Sequence, residues 1–206
     1  MAEKLISCFY NKDLAEKFLD AGIVEATGKN TEGWVCPTHP QVLQEISTLV
    51  TNALQSDYST IVLDSCHYPT NWKLQPTELF DTCYCDRCLK LFSDYIGENI
   101  FGQTLEEKVL LIDGSYYIEW MEFKMKHITN LIKNIKNENM TLKLIIPPWE
   151  NKENGEGMKR LLGVDLNSLE TVVDVFQIPL AVSDPKAGYF KDNLMSVEFI
   201  SNASLT

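Results

Sequence analysis

Four apolar runs with the make-up of buried strands alternate along this chain with segments of helical periodicity. Such alternation requires parallel strands joined by crossover helices, which leaves few architectures open. The first run, Leu5-Ile-Ser-Cys-Phe-Tyr10, is followed by Asn11 as a helix cap and by Leu14, Ala15, Phe18 and Leu19 at helical spacing. A polar, glycine-containing stretch from Gly22 to Gly33 reads as a connection. At Thr38-His-Pro-Gln41 the spacing of Thr38 and Gln41 predicts a capping box, with Pro40 in the first turn. Val42, Leu43, Ile46, Leu49, Val50, Ala53 and Leu54 then form one buried face, and Thr60 to Leu63 is the second strand. Helices are predicted over Leu89–Ile96 and Leu105–Ile112, with a long one whose apolar face runs from Tyr117 to Ile135. Strands follow at Thr141–Ile146 and Val172–Leu180. Between them Gly155–Gly163 reads as loop or short helix and Asp165–Leu169 as a helical turn, and Met195–Ile200 is a weaker final strand.

This pattern, over a single domain spanning 1–206, fits either an open doubly wound sheet or part of an eight-stranded barrel. No G-x-G-x-x-G and no G-x-x-x-x-G-K-[ST] is present, so nucleotide-binding versions of the first lose their support. A complete barrel takes about 250 residues, so a barrel here is a partial one. The formal charge of −11 repels phosphate backbones and anionic lipid heads, which argues against nucleic-acid and membrane partners. With neither a leader segment nor an apolar run of the roughly 20 residues a spanning helix needs, the chain is expected to be cytoplasmic.

Of the six cysteines, Cys83, Cys85 and Cys88 crowd together in C-x-C-x-x-C spacing where a loop turns into a helix. Thiolates so placed can surround a tetrahedral ion. A fourth ligand comes from Trp34-Val-Cys-Pro-Thr-His-Pro40, where Cys36 is the first choice and His39 competes. Cys36, Cys83, Cys85 and Cys88 are thus assigned as a structural zinc site. Four thiolates leave no open position, so the ion fastens a loop and does no chemistry itself. Cys8 and Cys66 read as small buried residues.

Cys36 followed by the Cys83–Cys88 cluster resembles the zinc site of the microbial β-galactosidases that carry four cysteines at the barrel edge. More broadly, Trp34 to Pro40, Ile61-Val-Leu-Asp-Ser-Cys-His-Tyr-Pro69 and the cysteine cluster resemble uncharacterised glycoside-hydrolase-like TIM-barrel families, in which a strand ends Leu-Asp shortly before Tyr-Pro. Leu144-Ile-Ile-Pro-Pro148 and Val172 to Pro179 look like the next two strands. The resemblance implies a TIM-barrel-like (β/α) fold, truncated to about strands three to six or seven. It departs from the β-galactosidases at Asp64-Ser65-Cys66, where they have Asn-Glu, so their acid/base is not carried over.

Glycoside hydrolysis needs two carboxylates flanking the bond, at the C-terminal ends of strands. Asp64, as nucleophile or base, and Glu150, as general acid, meet that demand. His67 and Tyr68 are candidates to hydrogen-bond a sugar, and Trp72 and Trp149 to stack on one. Asp174 reads as structural, and His127 as a helix-surface residue. The expected activity is to hydrolyse or recognise carbohydrate; the alternative is a non-catalytic carbohydrate-binding or protein-interaction module. An incomplete barrel exposes strand edges, so a homodimer or a companion segment that completes the sheet is also expected.

Overall fold

In the computed structural model, which describes residues 2–69, 81–100, 104–147, 158–181 and 194–200, each of the apolar runs contains a strand. Strand β1 (Glu3–Ser7) leads through α1 (Lys12–Lys17) and a hairpin of β2 (Gly22–Val24) and β3 (Asn30–Val35) into α2 (Pro40–Gln55). Then come β4 (Thr60–Asp64), α3 (Asp86–Ile96), α4 (Leu105–Ser115) and α5 (Tyr117–Ile135). Next are β5 (Thr141–Ile145), a π-helical turn at Met158–Leu162, α6 (Leu166–Leu169), β6 (Val175–Ala181) and β7 (Leu194–Ile200).

The main sheet has the order β1-β4-β5-β6-β7, parallel except for the antiparallel β6–β7 pair. Its parallel strands stand side by side in the order in which they occur along the chain. A doubly wound sheet reverses that order at a switch point, whereas a (β/α) barrel winds steadily in one direction. The sheet order therefore decides for the barrel. Register explains which side chains are buried. Ile6, Leu63, Leu144 and Phe176 lie in one row across four strands, all buried in the apolar core beneath the helices. On the opposite face a second row, Leu5, Val62, Lys143 and Val175, lines what a closed barrel would enclose. There Lys143 pairs with Glu3 at 2.8 Å, and Leu5 is 58% exposed.

Four local expectations are corrected. The first strand ends at Ser7 instead of Tyr10, and Gly22–Gly33 is no plain connection but most of the β2–β3 hairpin. The Thr38 capping box does not form. His39 is the N-cap of α2 and makes no side-chain cap bond, while the Thr38 hydroxyl is drawn to cysteine sulfur. Asp174 precedes β6 and does not lie inside it. Its carboxylate accepts from Leu142 N at 2.6 Å and from Lys136 Nζ, fastening β5 and β6 at their starts.

Aromatic rings pack the interface of α3 and α5. Trp120 stacks on Tyr84 at 5.1 Å and meets the Phe92 edge at 4.8 Å. Beneath them Asp81, 2% exposed, accepts hydrogen bonds from Tyr84 Oη and Trp120 Nε1, each at 3.1 Å, and from the buried Lys124 ammonium. This cluster anchors the chain just before the cysteines. Among the described residues no helix is long and apolar enough to cross a membrane.

His127 is half-buried on α5, its ring edge-on to Phe123 at 4.6 Å. Burial, helped by Lys126, pushes its pKa down to about 4 from the usual 6.5. Between those two values the unfolded chain binds a proton that the folded chain refuses, so the contribution of this group to stability should be flat above pH ~6.5 and fall as the pH drops towards ~4. Burial lowers His67 as well, adding to the same slope. Replacing His127 with Gln should remove about 2 to 3 kcal/mol of this loss, read as a smaller difference in urea unfolding energy between pH ~7.5 and ~4.5 than in the parent.

Candidate metal centre and barrel mouth

Two loop-to-helix junctions converge beyond the C-terminal end of β4. Cys36 directly follows β3, its amide bonded to Ala21 O at 2.7 Å. The other junction runs Cys83-Tyr-Cys-Asp-Arg-Cys88 into α3, where Cys85 is the N-cap and its sulfur accepts from Cys88 N at 3.5 Å. This second segment is laid against the hairpin: Tyr84 N donates to Val24 O at 2.8 Å, and Val24 N donates to the Cys83 sulfur at 3.4 Å. The four sulfurs lie within 4.8 Å of one another, with Cys36 to Cys88 at 3.4 Å and Cys36 to Cys85 at 3.7 Å. A tetrahedron with metal–sulfur bonds of about 2.3 Å has edges of roughly 3.8 Å. The cluster could therefore hold a metal ion with little rearrangement.

The surroundings fit such an ion. Sulfurs bound to a divalent ion stay electron-rich and accept hydrogen bonds. Thr38 Oγ1 stands 3.1 Å from the Cys36 sulfur and 3.4 Å from that of Cys88. The Tyr68 hydroxyl is wholly buried without a partner among the described residues, and all four cysteines act on it electrostatically. Without metal, burial pushes the Cys83 thiol up, and hydrogen bonding to Cys36 pushes Cys88 up. The bonds that Cys85 takes from Cys36, Cys83 and Cys88 hold it far below the usual thiol range. His39 is not in the cluster. Its Nε2 faces Asp20 at 3.4 Å, so Cys36 is the fourth member.

The second group of residues surrounds the mouth, the open end above β1 and β4. Asp64 ends β4 on the same face as Val62, the inner one. Among the described residues no side chain hydrogen-bonds its half-buried carboxylate. His67 lies close by, and its Nδ1 donates to Tyr68 O at 2.7 Å. Burial lowers its pKa and keeps the ring neutral, so the lone pair rests on Nε2. Rings extend from it in a row: Trp34 lies 5.4 Å from His67, and Tyr10 lies 5.4 Å from Trp34.

A bulge aims Trp34 into this row. Ile23 pairs with Thr31 but Gly22 pairs with Val35, leaving Glu32, Gly33 and Trp34 unpaired with β2, while Trp34 bridges Tyr10 and Gly33 O accepts from Asn11 N at 2.9 Å. Gly33, at φ +74°, permits the turn, and a Cβ there would come within 3.0 Å of the Tyr10 ring.

Of the expected site residues, the four cysteines are brought together, and Asp64 and His67 share the mouth. Tyr68 does not join them. It is 0% exposed, its ring against Gly163 and Lys124, with no surface to offer a sugar. Glu150, Trp72 and Trp149 lie outside the described residues. Tyr10, Trp34 and Thr38 went unassigned in the sequence, although Trp34 and Thr38 each sit two residues from Cys36. Cys8, pushed well up by its hydrogen bond to Cys66 and by burial, is a neutral buried thiol and no nucleophile.

No protein-family model and no curated protein matches the chain. Among solved structures it is similar to the catalytic domain of a beta-amylase from Paenibacillus polymyxa, at a TM-score of 0.55 and 10% identity. The match covers 91% of this chain and 63% of that domain, so the chain spans less than two thirds of its neighbour's length. Identity this low establishes the fold alone: α/β, of TIM-barrel type, in the form of a partial barrel.

Purified protein is expected to carry one divalent ion per chain by elemental mass spectrometry. A Cys88→Ser variant should lose it and melt about 10 °C lower, the equivalent of roughly 3 kcal/mol in a chain of this size. Full metal content in the variant would refute the assignment.

Proposed function

We propose that this chain is a glycoside-hydrolase-like barrel domain that binds and hydrolyses carbohydrate at its mouth, with zinc as a structural ion. The observation that carries the reading is the Asp64 carboxylate, which no side chain among the described residues hydrogen-bonds, on the inner face at the C-terminal end of a barrel strand and beside His67, whose ring meets that of Trp34. Barrel chemistry is sited at that end of the strands. The likeness to a beta-amylase catalytic domain adds support from the fold.

In this reading a pyranose presents its C–H face to Trp34, and its hydroxyls donate to the Nε2 lone pair of His67. Asp64 serves as nucleophile or as the base that activates water, and Glu150 as the acid that protonates the leaving oxygen. A separation of about 5 to 5.5 Å between the two carboxyl groups would give retention, and about 6.5 to 9.5 Å inversion. The zinc contribution is mechanical: the cysteines hold Cys36, and with it the bulge that presents Trp34.

Against a panel of glycosides, Asp64→Asn should lower kcat by about a thousandfold while leaving the melting temperature within ~2 °C. Trp34→Ala should act mainly on KM, raising it about tenfold. Turnover untouched by Asp64→Asn would sink the catalytic reading. We further propose that β1, paired on one side only among the described residues, is the edge at which a second copy or a companion segment completes the barrel. Sedimentation of the isolated chain should show a dimer at micromolar concentration, and a well-folded monomer would leave only the companion segment.

A further inference from the structure

A cavity of about 510 Å³ opens between the hairpin and the starts of α3 and α4. Its walls are Val24 and Asn30 of the hairpin, Cys85 and Arg87 at the start of α3, and Leu105 and Lys108 of α4. Of the four clustered cysteines Cys85 alone lines it, and Cys85 alone is not fully buried; Cys36, Cys83 and Cys88 are at most 1% exposed. Among the described residues, Cys85 is therefore the member of the cluster that borders the cavity.

A metal held by four buried thiolates can leave only when the fold opens. A metal with one accessible ligand can be handed over stepwise, an incoming donor taking the place of one sulfur at a time. At about 30 Å³ per water, the cavity has room for a hydrated ion together with a small chelating molecule. Arg87 and Lys108 supply positive charge for an anionic carrier, and Asp20 and Asp86, also on the wall, supply negative charge for a free cation.

We propose that this cavity is the port through which the metal is loaded and withdrawn, and that Cys85 is the ligand exchanged first. The inference rests on the metal reading above and adds a route to it. The ligand class is a divalent thiophilic ion, delivered or removed by a small anionic chelator. No redox step is involved: a chelator donor bonds to the ion as the bond to Cys85 breaks, and the sulfur keeps its electron pair.

The test uses the zinc-loaded full chain and the coloured anionic chelator 4-(2-pyridylazo)resorcinol. Transfer of zinc should speed up in proportion to chelator concentration, because the chelator attacks the bound ion. Filling the cavity from either wall, by Asn30→Trp on the exposed start of β3 or by Lys108→Trp on α4, should reduce that proportionality about tenfold, with the melting temperature within ~2 °C. A rate independent of chelator concentration would mean that the ion escapes by opening of the fold, and would overturn the port. So would an unchanged slope in both variants. If one variant fails to fold the other stands in, and the concentration dependence of the parent is decisive without either. A parent chain that takes up no zinc refutes the metal reading, and the port with it. Uptake with concentration-independent release refutes the port alone.

Discussion

Four sulfurs held within one small volume join parts of the chain that local structure cannot bring together. Cys36 and Cys88 are 52 residues apart, and closing a loop of that length costs conformational entropy that neither junction can recover locally. The hairpin is a two-stranded unit, marginal by itself in water. Laid against the Cys83 segment, with Cys36 at its exit, it becomes a fixed wall, and both the mouth and the cavity are shaped by it. Any ion that binds only the folded cluster would stabilise the wall by mass action.

The sheet was legible because parallel strands, covered on both faces, are written as continuous apolar runs such as Thr60-Ile-Val-Leu63, and because Leu142 and Leu144 alternate with half-buried neighbours. The gathering of the cysteines was legible because C-x-C-x-x-C brings three sulfurs together within one turn. What stayed hidden is tertiary. Strand β2 is three residues long and β3 contains a glycine, so neither carries enough periodicity to be read as a strand. Thr38 has the right spacing for a cap, yet two sulfurs outcompete the helix terminus for its hydroxyl. Lys124 lies 43 residues from Asp81, and no local pattern tells that this lysine of a long amphipathic helix points inward. Tyr68 shows the same limit from the other side. Its place after a strand suggested a mouth residue, whereas Gly163 leaves room for its ring in the interior.

The two ends of the sheet divide their tasks. At the starts of β5 and β6, Asp174 Oδ2 ties Lys136 and the Leu142 amide together. At the opposite end, among the described residues, no side chain hydrogen-bonds the Asp64 carboxylate, and Ser65 takes a left-handed conformation at φ +51° directly after the strand. Barrel chemistry is sited at that end of the strands.

The bulge at Glu32, Gly33 and Trp34 separates two properties that an unbroken hairpin would couple. In a regular ladder, inserting one residue turns every later side chain to the opposite face. Here pairing with β2 resumes at Val35, and backbone bonds to Phe9 and Asn11 hold the bulge on its other side, so Cys36 keeps its place in the cluster. The side chain at position 34 can therefore be exchanged while the clamp below stays in register, because its bridge to Tyr10 is made by backbone. That makes this short segment the place where a shared scaffold can diverge in what it grips.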